Sequence, residues 1–462
     1  MRDNIITGAL NNCKRARSII DSVFDQNSFV ETDTFMKANG RDIGLVTGFG
    51  KIDGRKSFIF VQDSSDASSV MNKAHADKIV RIYKLAAKTG APVIGVFDSS
   101  GADISNGNEA LAAYGDILYF ANRVSGVIPV ISIILGNCVG CSAMIAACSD
   151  IIIVSKSATF YMPSPDNSNI DYSYRAAELY GVSHLTAEND NDAVLKAKAV
   201  LSMLPQNNIA APVVYDNYRT ADNTVLSAIS DNSDYTYSVK NVIFEIFDSE
   251  SILSFQDEFA KSAYIGFARL EGKPVGFIAT DASLNDGKID KDACSKISRM
   301  VRLCDVFSIP VISFIDTTGF DDKSYEIVRE SAKLANSYAE ATSPKLCVIM
   351  NKAFGAAYVA MAGTNSNSDY TIAWEGAKLS PIDPVAAVEI LFDERIKAGE
   401  DRNNLLSEYY KNNASPIKSA EGGYITDVIS PIYTREKLNA ALEMLSSKRE
   451  ANLPKKHSNM PL

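Results

Sequence analysis

Short apolar runs recur along this chain between longer stretches of helical periodicity, and the whole series occurs twice. In the first half, G-L-V-T-G-F-G-K-I-D-G-R-K-S-F-I-F-V-Q-D from Gly44 reads as two strands joined at Asp53-Gly54, a dipeptide suited to a tight hairpin turn. Apolar Ile79, Ile82, Tyr83 and Leu85 then fall at helical spacing, and Gly90 and Pro92 end that helix before the apolar strand Val93 to Phe97. A helix over Asn108 to Val124 returns to a second strand, Val130 to Leu135, after which a glycine turn opens another helix at Gly140. The second half repeats the order, with I-G-F-A-R-L-E-G-K-P-V-G-F-I-A-T from Ile265, its turn at Glu271-Gly272, and strands opened by Pro310 and Pro344. Strands separated by helices of this length pair in parallel through crossovers, so the pattern predicts an α/β fold.

The two halves hold register. P-V-I-G-V-F-D-S-S-G from Pro92 and P-V-I-S-F-I-D-T-T-G from Pro310 lie 218 residues apart, as do Gly48 and Gly266, Gly54 and Gly272, and Ile79 and Ile297. The offset becomes 215 for Pro129 with Pro344 and for Gly140 with Gly355, then 219 for Asp150 with Asp369 and Ala158 with Ala377. Register of this length is duplication, and it predicts two tandem domains, residues 1–230 and 231–462. Between the copies, residues 163 to 240 are polar, tyrosine-bearing and proline-interrupted; short helices are expected there, including Ala193 to Leu204, with a linker ending at Pro205-Gln206-Asn207-Asn208. From Arg395 the chain reads as a charged helical region and then a polar tail.

A chain of 462 residues with 46% hydrophobic positions can bury two full cores. Its net charge of −10, with no basic cluster before Lys455-Lys456, argues against nucleic acid as a partner. The start mixes Arg2 and Asp3 with polar residues, unlike a secretory signal, so a cytoplasmic protein is expected. The uncharged run between Arg123 and Asp150 is broken by Gly126, Pro129, Gly136, Asn137 and Gly140 into strand, turn and helix, not a membrane span. Seven cysteines lie mostly in apolar stretches, as reduced buried thiols do. Cys138 and Cys141 form a C-x-x-C, but the other copy has Ala353 and Ala356 there, so they read as small packing residues in a tight turn.

A turn from a parallel strand into a helix leaves the first N–H groups of the helix unpaired, with the positive end of the dipole behind them. Glycine and alanine there let a substrate oxygen come close, and two donors aimed at it would stabilise an enolate or tetrahedral oxyanion. Helix–strand packing alone explains one such glycine turn; two at matched positions imply two oxygens. Side-chain catalysts are otherwise scarce. His75, His184 and His457 are the only histidines, none in a nucleophile–base pattern, and no phosphate-binding G-x-x-x-x-G-K-[ST] occurs. Gly48-Phe49-Gly50 lacks the third glycine of a dinucleotide fingerprint. Backbone oxyanion stabilisation with little else fits substrates that bring their own base.

Seven segments carry a closer resemblance. They are A-R-S-I-I-D-S-V-F-D-Q-N-S-F-V-E from Ala16, H-A-D-K-I from His75, G-A-P-V-I-G from Gly90, S-G-V-I-P-V-I-S from Ser125, F-A-R-L-E-G-K-P-V-G from Phe267, E-A-T-S-P-K from Glu340 and K-A-F-G-A-A-Y from Lys352. Over nearly its whole length the chain resembles the carboxyltransferase subunits of biotin-dependent acyl-CoA carboxylases and decarboxylases, the group of propionyl-CoA carboxylase β and methylmalonyl-CoA decarboxylase α. The resemblance implies two tandem crotonase-like (ClpP/crotonase) ββα-type domains, a hexamer built from dimers, and active sites where the N-terminal half of one subunit faces the C-terminal half of another. It implies that the N–H groups of Gly140 and Cys141 hold the acyl-CoA thioester oxygen as an enolate, and that those of Ala356 and Ala357, after Gly355, hold the ureido oxygen of biotin. In such a reaction carboxybiotin releases CO2, the biotin anion takes the α-proton and the enolate attacks CO2; the reverse decarboxylates a malonyl-type thioester. Ser99, Ser100, Gly101 and Asp103 fall at the acyl-CoA entrance, and Val359 at a position linked to acyl-chain choice.

No A-M-K-M-like biotinylation site is present, so the resemblance places biotin on a separate carrier protein, with a biotin carboxylase or a membrane decarboxylase subunit as further partners and no metal bound. Several positions depart from the family pattern. D-S-G-G-A-R becomes D-S-S-G-A-D over Asp98 to Asp103, reversing a charge, and a G-G pair becomes Gly140-Cys141. The loop after Gly319-Phe320 shortens to D-D-K-S-Y-E, and R-H-G-A-K becomes R-E-S-A-K from Arg329. Two alternatives follow: a catalytically degenerate assembly subunit, or a crotonase-like hydratase or isomerase with Glu109 or Asp103 beside Gly140. The sequence sets neither the acyl group nor the direction of transfer.

Overall fold

The computed structural model of the protein describes residues 13–65, 70–99, 101–162, 171–232, 235–363, 368–451 and 453–461. The chain forms two compact units, Met1–Pro212 and Val213–Leu462. The sheet of the first runs in the order Val30–Thr32, Leu45–Ile52, Arg55–Gln62, Val93–Phe97, Val130–Ile134, Ile151–Ser155, Leu185–Ala187. Its first three strands are antiparallel, and from Arg55–Gln62 onward pairing is parallel. All five residues of Val93–Phe97 and of Val130–Ile134 are buried, which is why both strands are continuously apolar. Phe58, Phe60, Val93, Phe97, Val130 and Ile134 pack with helices Lys73–Thr89 and Asn108–Val124. Helices Lys14–Val23 and Asp190–Met203 pack on each other and on the sheet.

The second sheet follows the same plan: Leu253–Phe255, Ala263–Leu270, Lys273–Thr280, Val311–Thr317, Lys345–Phe354, Tyr370–Trp374, Asp427–Ile429, with Lys378–Ser380 beside the end of Lys345–Phe354. Matching details reach single atoms. Asp53 and Gly54 have φ of 48° and 77°, Glu271 and Gly272 φ of 51° and 74°, the left-handed pair of a tight hairpin. Asp25 accepts the N–H groups of Asp53 and Gly54 at 3.0 and 2.8 Å; Asp248 accepts those of Glu271 and Gly272 at 3.1 and 2.7 Å. Lys78 and Lys296, 218 residues apart, are both buried and donate to backbone carbonyls, Lys78 to Leu45 at 2.6 Å and Lys296 to Gln256 and Phe259 at 2.8 and 2.7 Å. Burial pushes both ammonium groups down, that of Lys296 to about 8.

The expected division at 230/231 falls inside helix Thr224–Asp231. Residues 213–230 go with the second unit because their contacts lie there: Leu226 and Ile229 join its core, and the Glu245 carboxylate accepts the N–H groups of Val225 and Leu226 at 2.8 and 2.9 Å. Tyr215 likewise lies 3.9 Å under the Arg269 guanidinium. The polar stretch between the copies also supplies strand Leu185–Ala187, which completes the first sheet, and the helix expected from Ala193 begins at Asp190 behind an Asn189 cap. No helix among the described residues is long and apolar enough to cross a membrane.

Candidate active site

In both units the glycine turn that the repeat marks follows the fifth strand of the sheet, directly after Lys345–Phe354 in the second and after the short strand Asn137–Val139 in the first. Gly140 has φ 61° and ψ −124°, and Gly355 has φ 58°, a conformation side-chain-bearing residues rarely adopt. A Cβ on Gly355 would also come within 3.2 Å of the Pro381 carbonyl. Helices Cys141–Ala147 and Gly355–Met361 start at these turns. The expected role of Gly140 needs correction. Its N–H donates to the Tyr161 carbonyl at 3.0 Å, because strand Thr159–Tyr161 pairs with Asn137–Val139 and continues the ladder to the turn. The first two donors of the helix that follows, without an intrahelical acceptor, are those of Cys141 and Ser142, the positional equivalents of Ala356 and Ala357.

Behind each turn sits a buried aspartate that the sequence reading passed over, although the repeat carried the signal: Asp98 and Asp316 are 218 residues apart at the same strand end. Asp98 accepts the backbone N–H of Asn137 at 3.3 Å, the Ser64 hydroxyl at 2.7 Å and Arg15 Nη1 at 2.8 Å. Arg15 also donates to the Leu135 carbonyl at 3.1 Å and through Nε to Asp190 at 3.0 Å. The bond to Asp190 pushes the Arg15 guanidinium further up, against the opposing effect of burial. Gly136 must lack a side chain, since a Cβ there would lie 2.0 Å from Asp98 Oδ1. Asp316 accepts the N–H of Lys352 at 3.1 Å, the counterpart of the Asn137 bond, and then Tyr237 Oη at 3.1 Å and Asn351 Nδ2 at 3.4 Å. Burial raises the Asp316 carboxyl above its ordinary range, while the Lys352 N–H, Tyr237 and Asn351 pull it down. Burial, and then the Asp316 charge, push the Tyr237 phenol well up.

The residues expected at the acyl-CoA entrance form a loop beside the first turn. Ser99 is buried and donates its N–H to the Asn137 carbonyl at 2.8 Å, and its Oγ accepts the Gly101 N–H at 3.3 Å; Ser100 lies outside the described residues. Asp103 is engaged locally, accepting from Ser105 N and Oγ at 3.0 and 2.6 Å and from Asn106 Nδ2 at 2.8 Å. Glu109 is exposed in the first turn of Asn108–Val124, where a negative charge favours the helix dipole. Both carboxylates thus have structural employment that the hydratase alternative does not need. Val359 is 60% exposed one turn into Gly355–Met361. Cys138 is buried and burial pushes its thiol up, whereas Cys141 is half-buried at the turn. The described residues hold no cluster of histidine, cysteine and carboxylate groups able to bind a metal.

The carboxyl transferase domain family matches residues 11–460. Methylmalonyl-CoA decarboxylase subunit alpha of Veillonella parvula is 36% identical, over 97% of this chain and 93% of that protein. The propionyl-CoA carboxylase beta chain of Saccharopolyspora erythraea is 34% identical, over 97% and 90%. Among solved structures, the transcarboxylase 12S hexamer with methylmalonyl-coenzyme A and methylmalonic acid bound superposes with a TM-score of 0.92 at 32% identity, covering 97% of this chain and 92% of that one. The duplicated sheets are therefore the two crotonase-like domains of such a protein, and the chain belongs to the carboxyl transferase domain family, among the acyl-CoA carboxyltransferases.

Proposed function

We propose that this chain moves a carboxyl group between biotin, carried on a separate protein, and a short-chain acyl-CoA of the propionyl or methylmalonyl type. The observation that carries the reading is the pair of equivalent turns, each offering two adjacent backbone donors. Bound biotin supplies the carboxyl group and the base for the α-proton. The chain supplies the rest. The Cys141 and Ser142 N–H groups stabilise the thioester oxygen as the enolate develops, and the Ala356 and Ala357 N–H groups meet the ureido oxygen. Gly355 sets this turn, since its φ of 58° and the Pro381 carbonyl 3.2 Å from where a Cβ would lie both disfavour a side chain.

The full-length match to a transcarboxylase hexamer supports a hexamer for this chain, and the same relatives support a biotin carrier as partner. That none of the seven cysteines forms a disulfide supports a reducing compartment, the cytoplasm. The test is CO2 release from malonyl-CoA and methylmalonyl-CoA by the purified chain, with and without free biotin or a biotinylated carrier domain. Biotin-dependent release is expected, and the preferred thioester identifies the acyl group. Binding of both thioesters without turnover would instead favour the degenerate subunit.

A further inference from the structure

Behind the turns the two copies differ in charge at the first register pair of the short strands. In the first, Asn137 and Thr159 are partners on strands Asn137–Val139 and Thr159–Tyr161, and they satisfy each other: Thr159 Oγ1 donates to Asn137 Oδ1 at 2.8 Å. Next to them, the Arg15 guanidinium fills the space between Asp98, Leu135 and Asp190. The counterparts in the second copy are Lys352 and Lys378, register partners on Lys345–Phe354 and Lys378–Ser380. Partners on adjacent strands point to the same side with Cβ atoms about 5 Å apart, so two ammonium groups placed there repel. Both lysines are half-buried; neither ammonium makes an ion pair or hydrogen bond among the described residues, although that of Lys378 lies 5.2 Å from the Tyr410 ring centroid.

Where Arg15 closes the first copy, the second opens into a cavity of about 360 Å³ lined by both lysines, Tyr237, Asp281, Asp316 and Asn351. Its two carboxylates are already engaged. Asp316 takes the three donors described above, and Asp281 accepts Ser283 N and Oγ at 3.0 and 2.6 Å. The carboxylates keep their charges and balance the two lysines in number, but neither lies within ion-pair distance of an ammonium among the described residues, so what Lys352 and Lys378 leave open to the cavity is hydrogen-bond donors. Val239, which opens helix Val239–Ile246, also lines it, whereas the helix of the turn, Gly355–Met361, packs on Ile327–Glu340.

We propose that this cavity binds a small oxyanion, a carboxylate or phosphate group, between the ammonium groups of Lys352 and Lys378. Each ammonium offers up to three donors, and an anion between them cancels the repulsion that the strand register imposes. The volume suits a small molecule or the anionic end of a larger one.

Inorganic phosphate and acetate are the probes, titrated into the full-length protein by calorimetry and by thermal unfolding, with sodium chloride at matched ionic strength as the control. Saturable binding of at least one probe is expected, with a rise in unfolding temperature that chloride does not reproduce; the stronger of the two identifies the group. The double variant Lys352→Met with Lys378→Met should weaken that binding by about tenfold or more, equivalent to about 1.4 kcal/mol. Should the double variant fold poorly, Lys378→Met alone is read twice: it should weaken the probe, and in anion-free buffer it should unfold at a higher temperature than the parent because one repelling charge is gone. Binding that is unchanged in the variants, or no response beyond chloride up to about 10 mM of either probe, overturns the proposal.

Discussion

The two copies present the same turn on different supports. Both use a glycine at φ near 60°, both hang the turn on an aspartate through one backbone N–H, and both clamp the distant hairpin with another aspartate. They part company at the far side of the turn aspartate, where Arg15 and Ser64 serve Asp98 while Tyr237 and Asn351 serve Asp316. Groups that satisfy the backbone stayed fixed after duplication, because any replacement orphans a buried N–H or carbonyl at a cost of about 1–3 kcal/mol. Groups that satisfy other side chains drifted, since a compensating pair can replace them together. Lys78 and Lys296 both still donate to backbone carbonyls although burial disfavours their charge, but to different segments, Leu45 in one copy and Gln256 and Phe259 in the other.

The sharpest way to break the equivalence is to delete one donor from each turn. Cys141→Pro and Ala356→Pro fall in the first helical turn, where proline removes an N–H at little structural cost, and each should lower kcat by about 10²–10³. A loss confined to one variant, with both unfolding at the parental temperature, would mean that only one turn serves catalysis.

Titration of buried groups sharpens the contrast at slightly smaller scale. The ammonium of Lys296 is held near 8 in the folded chain against 10.5 when unfolded, so the unfolded state binds more protons between those values. Resistance to denaturant should rise from pH 8 to 10.5, by about 3 kcal/mol from this group, and Lys296→Met should flatten that rise. His75 has no counterpart in the second copy, where Ala293 stands. Its ring is buried with both nitrogens unbonded, and burial lowers it from 6.5 to about 4. Unfolding monitored in the first unit by hydrogen exchange should therefore become easier as pH falls from 6.5 towards 4, and His75→Gln should remove that dependence. Smaller still, Arg15→Met strands the Asp98 carboxylate without its cation and should cost about 2 kcal/mol, between the ranges for buried and exposed pairs. Tyr237→Phe removes one bond from Asp316 and should cost about 1 kcal/mol. Equal losses in chemical denaturation would remove the distinction drawn between the two supports.

Strand order and the two turns were legible from the repeat, because apolar runs, hairpin glycines and prolines are local signals that duplication prints twice. The support network was not. Arg15 reaches Asp98 and Asp190 across 83 and 175 residues, and no spacing in one sequence announces such a contact. The division near Pro212 was missed because helix Thr224–Asp231 has weak sequence signals and is held by Glu245 from outside. Gly140 was misjudged as a donor because its N–H is consumed by Tyr161, whose strand carries only three residues.

A turn whose working parts are N–H groups has a genetic consequence. Every amino acid except proline supplies the same donor, so most codon changes at Cys141 or Ala356 would leave the hydrogen bond itself in place. Inactivating alleles should gather at the bends Gly140 and Gly355 and among substitutions to proline, leaving no single indispensable side chain for a mutational scan to find. A lineage could thus reshape the walls around these turns while keeping the donors themselves.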